Sequence, residues 1–296
     1  MRYAYYPGCV AQASGRELDT ATRLVADKLG IELVDFPNFS CCGAGVVDEA
    51  DFEVNLALNA RNLALAEEKG IDMLTVCSTC TGMLTRANKT MEKDKALSMK
   101  VQNVLSHTGV EYNGTTKVKH LLWILATDYG YDKLREKVVF PLNGLKVASF
   151  YGCHILRPSD ILGFENPENP QSFEQLITAL GAEPIIYDGR VKCCGFPILF
   201  VKEEAAAKMS GNYLKDAKAH GADSMVTTCP LCHISLDTFQ PKAEAAIGES
   251  LELPTLHLAQ LVGLALGLEP KELGLSRHIV SPQKVLEKLS SLAVSV

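Results

Sequence analysis

The ten cysteines constrain this 296-residue chain more than any other feature. They fall as Cys9, Cys41–Cys42 and Cys77-x-x-Cys80, then as Cys153, Cys193–Cys194 and Cys229-x-x-Cys232. The second gap is 34 residues in both sets, the first is 31 and 39, and no cysteine is left over. Ten residues do not fall by chance into two matching sets of five, so the chain is an internal duplication. The flanks repeat as well. Tyr6-Pro7-Gly8-Cys9 answers Tyr151-Gly152-Cys153, and Cys41-Cys42-Gly43 answers Cys193-Cys194-Gly195. Lys119-His120-Leu121-Leu122 answers Leu256-His257-Leu258-Ala259. The extra residues of the second set are expected in the Pro- and Asn-rich loop from Phe164 to Ser172.

Composition then narrows the class. A hydrophobic content of 47% supports real cores, and the length suits about two domains. A net charge of −6 without a basic run argues against nucleic acid as a partner. No secretory leader is visible at Met1–Cys9, and the longest apolar run, Leu256 to Leu268, is too short to span a bilayer. The expected location is the cytoplasm, where reduced thiols bind metal or do redox chemistry rather than staple a fold.

Periodicity predicts alternating strands and helices in each half. The first half has strand Tyr3–Tyr6, helix Glu17–Leu29, strand Ile31–Phe36, helix Ala50–Lys69 and strand Asp72–Val76. The second has strand Lys146–Phe150, helix Ser172–Leu180, strand Glu183–Tyr187, helix Glu203–His220 and strand Ser224–Thr227. The fold class is therefore α/β, two pseudo-symmetric domains over 1–144 and 145–296, each a small mostly parallel sheet flanked by helices. Residues Asp132 to Gly144 read as the link, and Glu269 to Val296 as a docking helix or a partly disordered tail. The cysteines sit just past strand C-terminal ends, where sites form in parallel sheets.

Thiolates are soft ligands for zinc or iron–sulfur. A structural zinc closes with four ligands and a cubane 4Fe–4S cluster has four irons, so one sulfur per half is in excess. It either bridges two irons in a distorted cluster or stays a free redox thiol. Zinc gains nothing from a fifth thiolate, which favours iron–sulfur, with two Cys₄ zinc sites of a scaffold protein as the plain alternative. There is no ferredoxin-type cysteine run and no Gly-x-Gly-x-x-Gly after a strand, so no flavin site is expected in this chain and electrons are expected to arrive from another subunit.

The tandem C-x31–39-C-C-G…C-x-x-C pattern resembles the cysteine-rich CCG-domain family. With Tyr151-Gly152-Cys153-His154-Ile155-Leu156-Arg157-Pro158 opening the second repeat, it is similar to the B subunits of heterodisulfide reductases over Tyr3 to about Leu268. The resemblance implies two noncubane 4Fe–4S clusters. One would be held by Cys9, Cys41, Cys42, Cys77 and Cys80, the other by Cys153, Cys193, Cys194, Cys229 and Cys232. It implies reduction of the coenzyme M–coenzyme B mixed disulfide in methanogenesis, with the ferredoxin-like C subunit and the flavin-bearing A subunit of such a reductase as partners. Two facing clusters, each giving one electron, suit homolytic cleavage of one disulfide. A related family member that carries electrons in a lactate- or glycolate-oxidising or sulfur-metabolism complex is the rival reading.

Among the histidines, His154 and His233 adjoin cysteines and are the proton-donor candidates, with hydrogen bonding to a cluster sulfur or the backbone as the plain alternative. His107, His220 and His278 read as surface residues. His120 and His257 match between halves and read as capping or packing residues. Arg157, Lys192 and Lys202 lie near cysteines and are candidates for holding an anionic substrate, against the plainer reading of solvated surface cations. The Leu256–Leu268 helix is a candidate partner surface, against ordinary core packing.

Overall fold

The computed structural model describes residues 1–293. It holds two four-stranded, wholly parallel sheets. The first comprises β1 (Arg2–Tyr6), β2 (Glu32–Asp35), β3 (Met73–Thr75) and β4 (Val118–His120), in the order β2-β1-β3-β4. The second comprises β5 (Lys146–Phe150), β6 (Glu183–Ile185), β7 (Ser224–Thr227) and β8 (Thr255–His257), in the order β6-β5-β7-β8. The chain leaves β1 toward one edge and then returns to pair β3 on the other side. The same reversal occurs between β5 and β7. In an open parallel sheet that reversal leaves a crevice at the strand C-terminal ends.

Helices cover the sheets because their apolar residues recur on one face. In α1 (Arg16–Leu29), Leu18, Ala21, Val25 and Leu29 are buried, and Gly30 ends the helix in the left-handed region. α2 (Phe52–Glu67) starts at Asp51, whose carboxylate accepts the Val54 N–H at 3.0 Å. α3 (Ser78–Lys93) begins straight after Cys77 and so carries Cys80 in its first turn. In the second half α4 (Ser172–Ala179) and α5 (Glu203–Ala219) take the crossover positions. α6 (Leu258–Ala265) is buried on all sides, and α7 (Gln283–Ala293) closes the described chain.

Two hydrophobic clusters each draw on both halves. Val25 and Leu29 of α1 belong to the same buried cluster as Leu261 and Val262 of α6. Burial of α6 overturns its reading as an exposed partner surface: Leu258, Leu261 and Val262 have no accessible surface. The expected link at 132–144 is partly helical, over Tyr131–Lys137, with Leu134 in the core. The extra segment of the second half does run as irregular chain between Gly163 and Gln171. No helix among the described residues is long and apolar enough to cross a membrane.

Candidate metal centre: ten thiols on two adjoining clefts

Each strand end delivers its cysteine to the crevice. Cys9 follows β1, Cys77 follows β3, and the Cys41–Cys42 loop follows β2; Cys153, Cys229 and Cys193–Cys194 repeat this after β5, β7 and β6. All five thiols of the first half line one cleft. All five of the second half, Cys153, Cys193, Cys194, Cys229 and Cys232, line another. The two clefts share Ala44, Val46, Thr79, Phe196 and Leu231 as walls. Cys42 Sγ lies 3.5 Å from Cys80 Sγ, and Cys77 Sγ lies 3.7 Å from Cys229 Sγ across the halves. None of the ten is in a disulfide.

The loops are braced differently in the two halves. Asn55 and Asn59 of α2 both donate to the Cys42 carbonyl, at 2.9 and 3.0 Å, and Asn62 holds Ser40 through its N–H and carbonyl. The second half relies on a buried ion pair instead. Arg190 Nη1 meets Glu174 Oε1 at 2.7 Å, and Glu174 also accepts from Ser149 and Tyr151. That network fixes Tyr151, two residues before Cys153. Gly8 and Gly152 adopt positive φ, +78° and +70°, one residue before the lone cysteines. A Cβ there would stand 3.0 Å from Cys80 Sγ and Cys232 Sγ, so the backbone comes as close to the C-x-x-C sulfurs as it can.

The thiols cannot all ionise beside one another. Hydrogen bonding from Cys42 and Cys9 lowers Cys41 to about 2, and Cys153 with Cys194 does the same to Cys193. The cost appears on their neighbours. Cys9 and Cys153 are raised by giving those hydrogen bonds, Cys42 is raised to about 11 by Cys41, and Cys194 to about 12 by Cys193. Five crowded, mostly buried sulfurs per half call for a polycation that lets every thiolate form, and soft sulfur suits iron or zinc. The donor set fits the implied iron–sulfur group.

The halves are stitched at the sulfurs. His120 Nε2 donates to the Thr228 carbonyl at 2.9 Å, and His257 Nε2 donates to the Val76 carbonyl at 3.1 Å. Each bond lands on the residue just before the other half's C-x-x-C. Each Nδ1 accepts the N–H that starts the following helix, from Leu122 and from Ala259. Both imidazoles are thus fixed as neutral donors at Nε2, and burial lowers both to about 4. The expected capping role is observed, with a cross-half bond that the sequence did not disclose.

The other candidates separate. His154 lines the second cleft, and its Nδ1 lies 3.1 Å from Thr79 Oγ1, which in turn lies 3.7 Å from Cys229 Sγ. Thr79 belongs to the first half, and nothing in the C-x-x-C pattern singles out its middle residues. His233 lines neither cleft; it is buried edge-on against His278, 4.8 Å between ring centroids. His278 corrects its surface reading, since its side chain is only 1% exposed. His107 and His220 are exposed as expected. Arg157 is engaged by the Val191 and Pro167 carbonyls and by Glu168, pinning the irregular loop. Lys192 and Lys202 are exposed, and no lysine or arginine lines either cleft among the described residues.

Comparison with known proteins decides the family: the CCG cysteine-rich domain matches twice, over residues 3–85 and 147–237. The chain belongs to the CCG family. It is 42% identical to the 8-methylmenaquinol:fumarate reductase membrane anchor subunit of Wolinella succinogenes, covering 96% of this chain and 98% of that protein. It is 34% identical to the B subunit of the ferredoxin/F420H2-dependent CoB-CoM heterodisulfide reductase of Methanosarcina acetivorans, covering 100% of this chain and 99% of that one. The B subunit of the ferredoxin:CoB-CoM heterodisulfide reductase of Methanosarcina mazei is 33% identical over the same shares. A crystal structure of a hypothetical protein from Helicobacter pylori superposes with a TM-score of 0.77 at 17% identity, over 95% of this chain. This chain spans 52% of that one, and the likeness concerns the fold alone. Over its full length this CCG protein thus resembles subunits of oxidoreductases, the heterodisulfide reductase B subunits among them.

Proposed function

We propose that the chain is the catalytic iron–sulfur component of a heterodisulfide reductase-type complex. In this reading Cys9, Cys41, Cys42, Cys77 and Cys80 hold one noncubane 4Fe–4S cluster, and Cys153, Cys193, Cys194, Cys229 and Cys232 hold a second. The observation that carries it is the placement of two complete thiol quintets on adjoining clefts with a common wall. When bound, the clusters would supply the two electrons, one each, that together with two protons turn a disulfide into two thiols. The chain's own residues do the rest. Ala44, Phe196 and Leu231 form the half-buried apolar part of the shared wall. His154 holds a proton at its imidazole, and the Thr79 hydroxyl hands it on toward the product sulfur.

The proposed substrate is the coenzyme M–coenzyme B mixed disulfide. Its anionic ends would lie outside the clefts, within reach of Lys192 and Lys202, since the clefts offer no cation of their own. Electrons arrive from the ferredoxin-like C subunit, fed by the flavin-bearing A subunit, in the cytoplasm. Val46 and Phe200 on the cleft rim, each at least 75% exposed, offer the apolar surface for that contact in place of the buried α6.

The lining itself favours one second reading. Apolar clefts without a cation suit a quinol, and the relative from Wolinella succinogenes is named for an 8-methylmenaquinol reaction. The deciding experiment gives anaerobic, cluster-loaded protein either the mixed disulfide with reduced viologen or a soluble menaquinol analogue. Thiol release by the isolated chain supports the disulfide reading. Cluster reduction by the quinol, with no thiol release, replaces it with the second.

A further inference from the structure

Away from both clefts, three metal-binding side chains converge in the core. They are His233 and Asp237, four residues apart where helix passes into the π-helical turn Ile234–Thr238, and His278 from the segment leading to α7. His233 is 5% exposed and Asp237 1%, and their ligand atoms and that of His278 lie within 4.8 Å of one another.

Hydrogen bonding fixes the tautomer of His278. The Gln260 amide donates through Nε2 to the Leu273 carbonyl at 3.0 Å and accepts the His257 N–H at Oε1. Its Oε1 also meets His278 Nε2 at 3.1 Å, so that nitrogen must carry the proton. His278 Nδ1 therefore presents a lone pair to Asp237 Oδ1, 3.8 Å away, and has no hydrogen-bond partner. Two electron-rich atoms facing each other in the core repel unless a cation lies between them. A shared proton would satisfy this pair alone. It would leave His233 Nε2, which is also buried and unpartnered.

We propose that His233, Asp237 and His278 bind a divalent metal ion, of which zinc suits the donor set best. Two imidazoles and a carboxylate are ordinary zinc ligands. The surroundings have the supporting bonds such sites need. Gln260 orients His278, and the N–H groups of Ile279 and Val280 hold the Asp237 carboxylate at 3.0 and 3.1 Å. Closing on zinc at about 2.0–2.2 Å draws the three atoms in by roughly 1 Å, a movement within reach of side-chain rotation. The ion would tie the C-terminal segment to the helix that carries Cys232.

The test uses the full chain, purified anaerobically with its iron centres after growth in zinc-supplemented medium. The expected result is about one zinc per chain, with a first shell of nitrogen and oxygen and no sulfur by X-ray absorption. Asp237→Asn and His278→Leu should each lose at least about four-fifths of that zinc while iron and sulfide stay unchanged. Asp237→Asn is isosteric and carries the test alone if the histidine variant does not fold. Wild-type protein that retains no zinc after saturation and desalting overturns the site, as does zinc kept by the variants or a shell containing sulfur.

Discussion

Replacing Gly152 with alanine would test how tightly the lone-cysteine turn is built against the C-x-x-C sulfurs. Gly152 has φ +70°, a region that costs an L-residue roughly 1–2 kcal/mol. The new Cβ would also stand 3.0 Å from Cys232 Sγ, tighter than ordinary contact. Cys232 is buried among Cys194 and Cys229 and has little room to retreat. Overpacking of this kind costs about 1–3 kcal/mol, so the total is about 2–5 kcal/mol. Gly221→Ala is the control, because Gly221 has φ +86° and nothing within 4 Å of its Cβ position. Urea unfolding under argon should show Gly152→Ala destabilised beyond Gly221→Ala by about 1–3 kcal/mol. With one cluster per quintet, as proposed, iron content should fall by about half in Gly152→Ala and stay full in the control. Equal stability losses with full iron in both would refute the reasoning, since the sulfur contact would then carry no weight.

Three further outcomes follow from the geometry. Burial lowers His120 and His257 from an unfolded value near 6.5 to about 4, so the unfolded chain binds more protons between those values. Their contribution is therefore complete above pH 6.5 and is lost as pH falls toward 4, at most about 3 kcal/mol each. A His257→Gln variant should lose less stability than wild type between about pH 7 and 5, and an unchanged difference contradicts the cause given. Glu174→Gln strands the Arg190 guanidinium in the core and should cost about 3–5 kcal/mol by urea unfolding; a loss below about 1 kcal/mol removes that network's structural role. His154→Gln should lower disulfide turnover about 10²-fold, whereas unchanged turnover removes His154 as donor.

Much of the architecture was legible because the duplication repeated every signal. Strands Lys146–Phe150 and Ser224–Thr227 lie where alternation put them, and each cysteine follows a strand end as expected. What stayed hidden depends on contacts between halves. His278 sits in a short polar stretch with Ser276 and Arg277, which reads as surface, yet tertiary packing carries it onto His233. The stripe at 256–268 reads equally as an interface or as core, and only the tertiary packing shows that α1 of the other half covers it. Thr79 has no counterpart in the second half, where Leu231 stands, so the repeat gave no hint of its bond to His154.

The claim beneath these points is that both thiol quintets hold iron–sulfur clusters. Metal and acid-labile sulfide analysis of anaerobically purified protein tests it most directly. Two loaded quintets predict about eight iron and eight sulfide per chain. About two sulfur-ligated zinc ions per chain with no sulfide would contradict the account and leave the clefts as parts of a scaffold.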